Sequence, residues 1–199
     1  MSTREYHPYL KFIPDNVQIL VVGSFPIGKF THPQRRSEIT VNEIDFFYGG
    51  SRNNFWSLVG DCYSVQLNSQ EKIKSLLNMK KIGIIDVIYS CIRIEGRADD
   101  KSLTSIEFNP EIESVIQAES LEKILFTSQQ ARLWFHQNWH KPEDLTEVVL
   151  PSPSGQATRG IGKTQKYKDW KIKNPTLKVY DFCLTEYKKV FDDNVSVVT

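Results

Sequence analysis

Four short apolar runs punctuate the chain: "VQILVVG" (17–23), "IGIIDVI" (82–88), "EKILFTS" (122–128) and "TEVVLPS" (146–152). In each, Val, Ile and Leu follow one another without alternation, and small or polar residues end the run. A strand covered on both faces reads this way, because neither side of its pleat meets water. Between the runs the apolar spacing becomes helical. "NNFWSLVGDCY" brings Phe55, Trp56 and Val59 near one face, and "SQEKIKSLLNMK" does the same with Ile73, Leu76 and Leu77. "NPEIESVIQAE" opens on Asn109 and Pro110, a cap and first-turn pair. "SQQARLWFHQNW" and "PTLKVYDFCLTEYKKVF" are amphipathic as well.

Strands alternating with helices predict an α/β fold: a three-layer α/β/α sandwich around a central four-stranded, mostly parallel sheet. Ligands bind such sheets at the carboxyl ends of the strands. Those ends carry "GSFPIG", "DVIYSCIR", "TSQQ" and "LPSPSG".

Bulk composition narrows the class without naming a function. With 199 residues, 40% apolar and 25% charged, the chain reads as one domain over 1–199 with a substantial core. The N-terminal "MSTREYHPYLKFIPDN" lacks a signal-peptide run, and no window approaches a membrane span. A soluble, cytoplasmic monomer is expected. Three scattered cysteines without a C-x-x-C pair argue against zinc and iron–sulfur sites and for reduced, mostly buried thiols. His136 and His140 are four apart but have no third ligand at useful spacing, so neither metal nor cofactor is expected.

"VVGSFPIGKFT" (21–31) nearly spells a phosphate-binding loop, with Gly23, Gly28 and Lys29 in register. Phe30 stands where a magnesium-binding hydroxyl belongs, Thr31 comes one residue late, and Pro26 removes a backbone donor. Asp86 in "IIDVI" would serve as the acid of such a site. A P-loop phosphotransferase therefore stays open as a minor alternative.

"GSFPIG" after the first strand, "FFYGGSRNNFW" and "LPSPSG" together match another pattern, in order. They resemble the loops of the uracil-DNA glycosylase superfamily, and most closely its hypoxanthine-DNA and mismatch-specific thymine/uracil branches. "DVIYSCIRIEGRAD" is similar to a stretch of the hypoxanthine branch. The resemblance covers about residues 17–155 and implies a DNA repair enzyme. Such an enzyme flips a deaminated base (hypoxanthine or uracil) out of double- or single-stranded DNA and hydrolyses its N-glycosidic bond.

The resemblance implies Tyr48 as the face on which the base stacks, with Phe25 as a second wall. Asn53 maps to the asparagine that orients water, and Ser24 joins it from the first loop. Asp86 would accept a base N–H or hold the following turn. The first-loop Asp or Asn of other branches is absent, and Leu150 precedes Pro151 where strongly active uracil enzymes carry His. Asp45 and Glu43 are candidates for a general base by position alone, against a reading as solvated surface acids. Arg52, Ser152, Ser154, Gly155, Gln156, Arg159 and Lys163 would meet DNA, with Gln156 or Arg159 as a wedge. The basic run 156–173 carries Arg159, Lys163, Lys166, Lys168, Lys171 and Lys173 against Asp169 alone. A catalytically weak or inactive DNA- or nucleoside-binding protein of the same fold is the alternative that the missing Asp and His leave open.

Overall fold

The computed structural model describes residues 3–94, 97 and 99–191. Along the chain run β1 (Arg4–Tyr6), β2 (Lys11–Phe12), β3 (Ile19–Gly23), α1 (Gly28–Thr31), α2 (Phe55–Tyr63) and α3 (Gln70–Met79). Next come β4 (Ile82–Asp86), β5 (Ile88–Arg93), β6 (Leu103–Phe108), α4 (Glu111–Ile116), β7 (Lys123–Phe126) and α5 (Gln129–Asn138). The chain closes with β8 (Thr146–Val149), α6 (Thr158–Ile161), α7 (Gln165–Lys173) and α8 (Val179–Phe191).

The four apolar runs form β3, β4, β7 and β8, all mutually parallel, in the order β4-β3-β7-β8. The central sheet nevertheless has five strands rather than four. The two-residue β2 adds to its edge, antiparallel to β4, with Lys11 opposite Ile85 and Phe12 opposite Ile84. Two residues are too few to show any periodicity, so this edge strand leaves no mark in the sequence. "DVIYSCIR" is likewise not a loop. Its latter part is β5, the middle strand of a second, antiparallel sheet ordered β1-β5-β6. Glu95, Gly96 and Ala98 of the family-like stretch lie outside the described residues.

The inner parallel strands β3, β4 and β7 alternate between two cores, which is why their sequences are largely apolar, while the edge strand β8 is half-buried at best. Val21, Ile84 and Leu125 face a core built with α2, α3 and α8, including Phe55, Leu77 and Tyr187. Leu20, Val22, Ile85, Ile124 and Phe126 face the other, with α4, α5 and residues of the second sheet such as Cys91. Helix starts follow local chemistry. Ser69 Oγ accepts the Lys72 N–H at 3.3 Å, and Ser128 Oγ accepts the Ala131 N–H at 3.1 Å. Asn109 does more than cap α4. Its Oδ1 accepts the Glu111 N–H, while its amide donates to the carbonyls of Asp86 and Leu10, tying the end of β4 to the N-terminal segment. Cys91 and Cys183 are buried and Cys62 is half-buried.

Candidate active site

A cleft of about 760 Å³ opens at the carboxyl ends of β3 and β4. Its floor depends on a glycine. A Cβ on Gly23, the last residue of β3, would lie under 3.0 Å from both Asp86 Oδ1 and the Tyr48 hydroxyl. Without that atom the two side chains meet over the strand end, with the Tyr48 hydroxyl 3.5 Å from Asp86 Oδ1. Burial and the Asp86 charge raise the Tyr48 phenol well above its usual range, so it stays protonated. Asp86 Oδ2 accepts from His7 Nε2 at 2.9 Å. His7 Nδ1 accepts the backbone N–H groups of Tyr9 and Leu10, each at 3.2 Å, and this assigns the ring proton to Nε2. Asp86 is therefore anchored by a buried histidine rather than by the turn that follows it. His7 escaped the sequence reading because one histidine before a proline, just after a three-residue strand, carries no pattern.

Tyr48 sits in a tight turn at a left-handed φ of 55°. The Ile44 N–H donates to the Gly49 carbonyl, and the Gly49 N–H to the Phe46 carbonyl. A Cβ at Gly49 would run into the Ile44 carbonyl. The Tyr48 ring lies on Phe55, centroid to centroid 4.4 Å, which leaves its position set by α2 packing. Asn53 lines the same cleft, and its Oδ1 accepts the Phe55 N–H at 2.9 Å, so it caps the start of α2 as well. The last loop joins here by backbone pairing: Asn54 N–H to the Pro153 carbonyl, and Gly155 N–H to the Arg52 carbonyl. Two segments a hundred residues apart thus form one rim.

The opening loop is clamped from below. Arg93 Nε bonds Glu5 Oε2 at 3.1 Å, its terminal nitrogen donates to the Pro26 carbonyl at 2.6 Å, and its guanidinium lies 5.7 Å from the Phe25 ring centre. Thr31, the late hydroxyl of the P-loop reading, donates to the same Glu5 oxygen at 2.5 Å and is buried. Lys29 forms an ion pair with Glu43, and the helix that contains it, α1, is a single turn. The P-loop geometry is not formed here, since both the lysine and the hydroxyl are committed to buried acids.

Glu43 is neither a solvated acid nor an available base. Burial pushes its carboxyl up, but Lys29 and the Ser51 and Thr40 backbone N–H groups outweigh this and bring it down to about 2. Asp45 holds Arg36 and the Tyr9 hydroxyl and is not among the cleft-lining residues. Ser24 lines the cleft and donates through Oγ to Asp100 Oδ1 at 2.9 Å. Asp100, missed in the sequence, comes from the β5–β6 connection. The family-like stretch ends on the neighbouring Asp99, and only the fold shows that Asp100 is the acid that meets Ser24.

Arg52, Ser152, Ser154 and Gln156 line the cleft mouth, and Gly155 is exposed beside Arg52. Arg159 and Lys163 are exposed but do not line it. The basic run is not one continuous cationic face. Lys166 pairs with Glu186, and Lys171 donates to the Leu177 carbonyl. Tyr167 and Trp170 of α7 pack on Phe182 of α8, each with ring centres 5.4 Å apart. His136 bonds Glu147 at 2.8 Å. Among the described residues no cluster of three His, Cys, Asp or Glu side chains could hold a metal, and no helix is long and apolar enough to cross a membrane.

This architecture has a solved counterpart. The chain matches the solution NMR structure of a proposed uracil DNA glycosylase from Methanosarcina acetivorans, with a TM-score of 0.59. The match spans 94% of this chain and 97% of that one, at 20% sequence identity. The two chains share one fold. No protein-family model matches the chain, and no curated protein matches it in sequence.

Proposed function

We propose that the protein is a monofunctional DNA glycosylase that hydrolyses the N-glycosidic bond of a flipped, deaminated base, hypoxanthine or uracil. The observation that carries this reading is the cleft itself. On a uracil-DNA glycosylase fold, one opening at the strand ends gathers two aromatic rings, Tyr48 and Phe25, with Asn53, Ser24 and Asp86.

In this reading the base enters the cleft against Tyr48 and Phe25, and an N–H on its edge is received by Asp86 Oδ1. His7 and the Tyr48 hydroxyl hold that carboxylate still, so recognition needs little reorganisation. Asn53 orients the attacking water through its amide. Arg52, Ser152, Ser154, Gly155 and Gln156 approach the phosphates around the flipped nucleotide, and Arg159 and Lys163 add long-range attraction.

One observation favours a second reading. The Asn53 carbonyl already caps α2, which leaves less of that side chain for water. With no first-loop Asp or Asn, the site would then bind a flipped base without releasing it. Duplexes with single uracil, hypoxanthine, xanthine or G·T sites, treated with protein and then alkali, separate the two. Strand breaks at one lesion, lost in Asn53→Ala, support the glycosylase. Salt-sensitive binding with no breaks at any lesion supports the binding module.

A further inference from the structure

Among the described residues, five acids line the cleft: Glu38, Glu43, Asp86, Asp99 and Asp100. Their partners differ, and that difference selects one. Glu38 is held by Arg35 through two hydrogen bonds, of 2.9 and 2.8 Å. Glu43 is spent on Lys29 and on backbone N–H groups. Both oxygens of Asp86 are engaged, by His7 and Tyr48. Asp99 is exposed. Asp100 is half-buried, and the one hydrogen-bond partner of its carboxylate among the described residues is Ser24, at Oδ1.

We propose that Asp100 is the general base of the hydrolysis, with Oδ2 receiving the proton of the attacking water and Ser24 fixing the carboxylate through Oδ1. The inference rests on the glycosylase reading above. It places a carboxylate beside the opening loop, although that loop itself carries none. Ser24 is suited to hold it, because its carbonyl accepts the Ile88 N–H at 3.2 Å and Gly23 accepts the Val87 N–H at 2.9 Å. These bonds extend the strand register to the residue that orients the acid. In the reaction the water oxygen bonds to C1′ as its proton passes to Asp100. The C1′–N bond breaks with its electron pair on the base, which departs as an anion and is protonated afterwards. The sugar is left with a 1′-hydroxyl.

Burial raises the Asp100 carboxyl above the usual aspartate range, and so do the Asp86 and Asp99 charges. The Ser24 hydroxyl and the Arg93 guanidinium pull it back, and Arg97 also lines the cleft. The raised position makes Asp100 a stronger proton acceptor than a surface acid.

The test is single-turnover base release from whichever lesion duplex the unaltered protein cleaves, followed across pH. Asp100→Asn should lose on the order of 100-fold or more in rate, keep its affinity for the lesion duplex, and lose the fall in rate on the acid side. Ser24→Ala removes a bond that stabilises the ionised acid, so its acid limb should move to higher pH. A merely structural role for either residue would not move that limb. If Asp100→Asn does not fold by circular dichroism, the Ser24→Ala shift decides the matter. Asp100→Asn within about threefold of the parent rate and with an unchanged pH profile overturns the inference while leaving the glycosylase intact. So does an equal loss in Asp99→Asn, which would assign the effect to loop charge. A parent protein that cleaves no lesion overturns the glycosylase reading, and this inference with it.

Discussion

His7 and Asp86 face each other across 2.9 Å with side-chain exposures of 0% and 5%. A carboxylate this deep is tolerable only because a donor is built in beside it. The pairing joins the N-terminal segment to the end of β4, 79 residues apart. It is the point where fold stability and the cleft floor depend on the same atoms.

His7→Ala leaves the Asp86 carboxylate buried with only the long Tyr48 contact. A loss of about 3 kcal/mol in urea unfolding is expected, with base release impaired alongside. A variant as stable as the parent would show that Asp86 finds another partner or a proton.

Gly23→Ala introduces a methyl group into space held by Asp86 and Tyr48. Because β3 is the middle of the sheet, its backbone cannot retreat and the two side chains must separate. Base release should fall at least about tenfold even where the variant remains folded. Normal rates would mean the Asp86–Tyr48 contact is dispensable.

Arg93→Lys is not a conservative change here. A single ammonium cannot reach Glu5, the Pro26 carbonyl and the Phe25 ring together, as the guanidinium does. The opening loop should loosen, seen as faster amide exchange at Ile27 to Phe30. Arg93→Ala, which leaves buried Glu5 with the Thr31 hydroxyl but without its counter-charge, should lower stability by about 3 kcal/mol.

Glu43→Gln tests the lowered carboxyl. Its pKa in the folded state is about 2, against 4.5 for the free group, so ionised Glu43 stabilises the fold above pH 4.5. That contribution, of the order of 3 kcal/mol at most, is lost as pH falls through about 2. Parent and Glu43→Gln should therefore differ in urea midpoint at pH 7, draw together below pH 4.5 and converge only as pH reaches about 2. A difference that persists at low pH would mean that shape, not charge, is what Gln fails to supply.

Within the basic run, Arg159→Ala and Lys163→Ala should each reduce the salt dependence of DNA binding by about one ion. Lys166→Ala should not, because its ammonium is paired with Glu186.

The parallel strands β3, β4 and β7 were legible because both of their faces are buried and continuous apolarity is the direct consequence, whereas β8, at the sheet edge, is only half-buried and shows just a short apolar end. Helices such as α3 and α5 were legible because one face meets a core and a serine starts each. The family resemblance named Ser24, Phe25, Tyr48, Asn53 and Asp86, scattered over more than sixty residues, and in the folded chain all five line one cleft. Hidden from such reading were β2 and β1, which are too short to have a period. Hidden too were the partners of every charged group. Glu43, Asp45, Asp86, Asp99 and Asp100 are equivalent as letters. One is clamped by lysine, one by arginine and tyrosine, one by a buried histidine, one faces solvent, and one keeps an oxygen free. Burial patterns are local and repeat along the chain, so they survive in one dimension. The environment of a carboxylate is assembled from distant segments, and that is decided only when the chain has closed on itself.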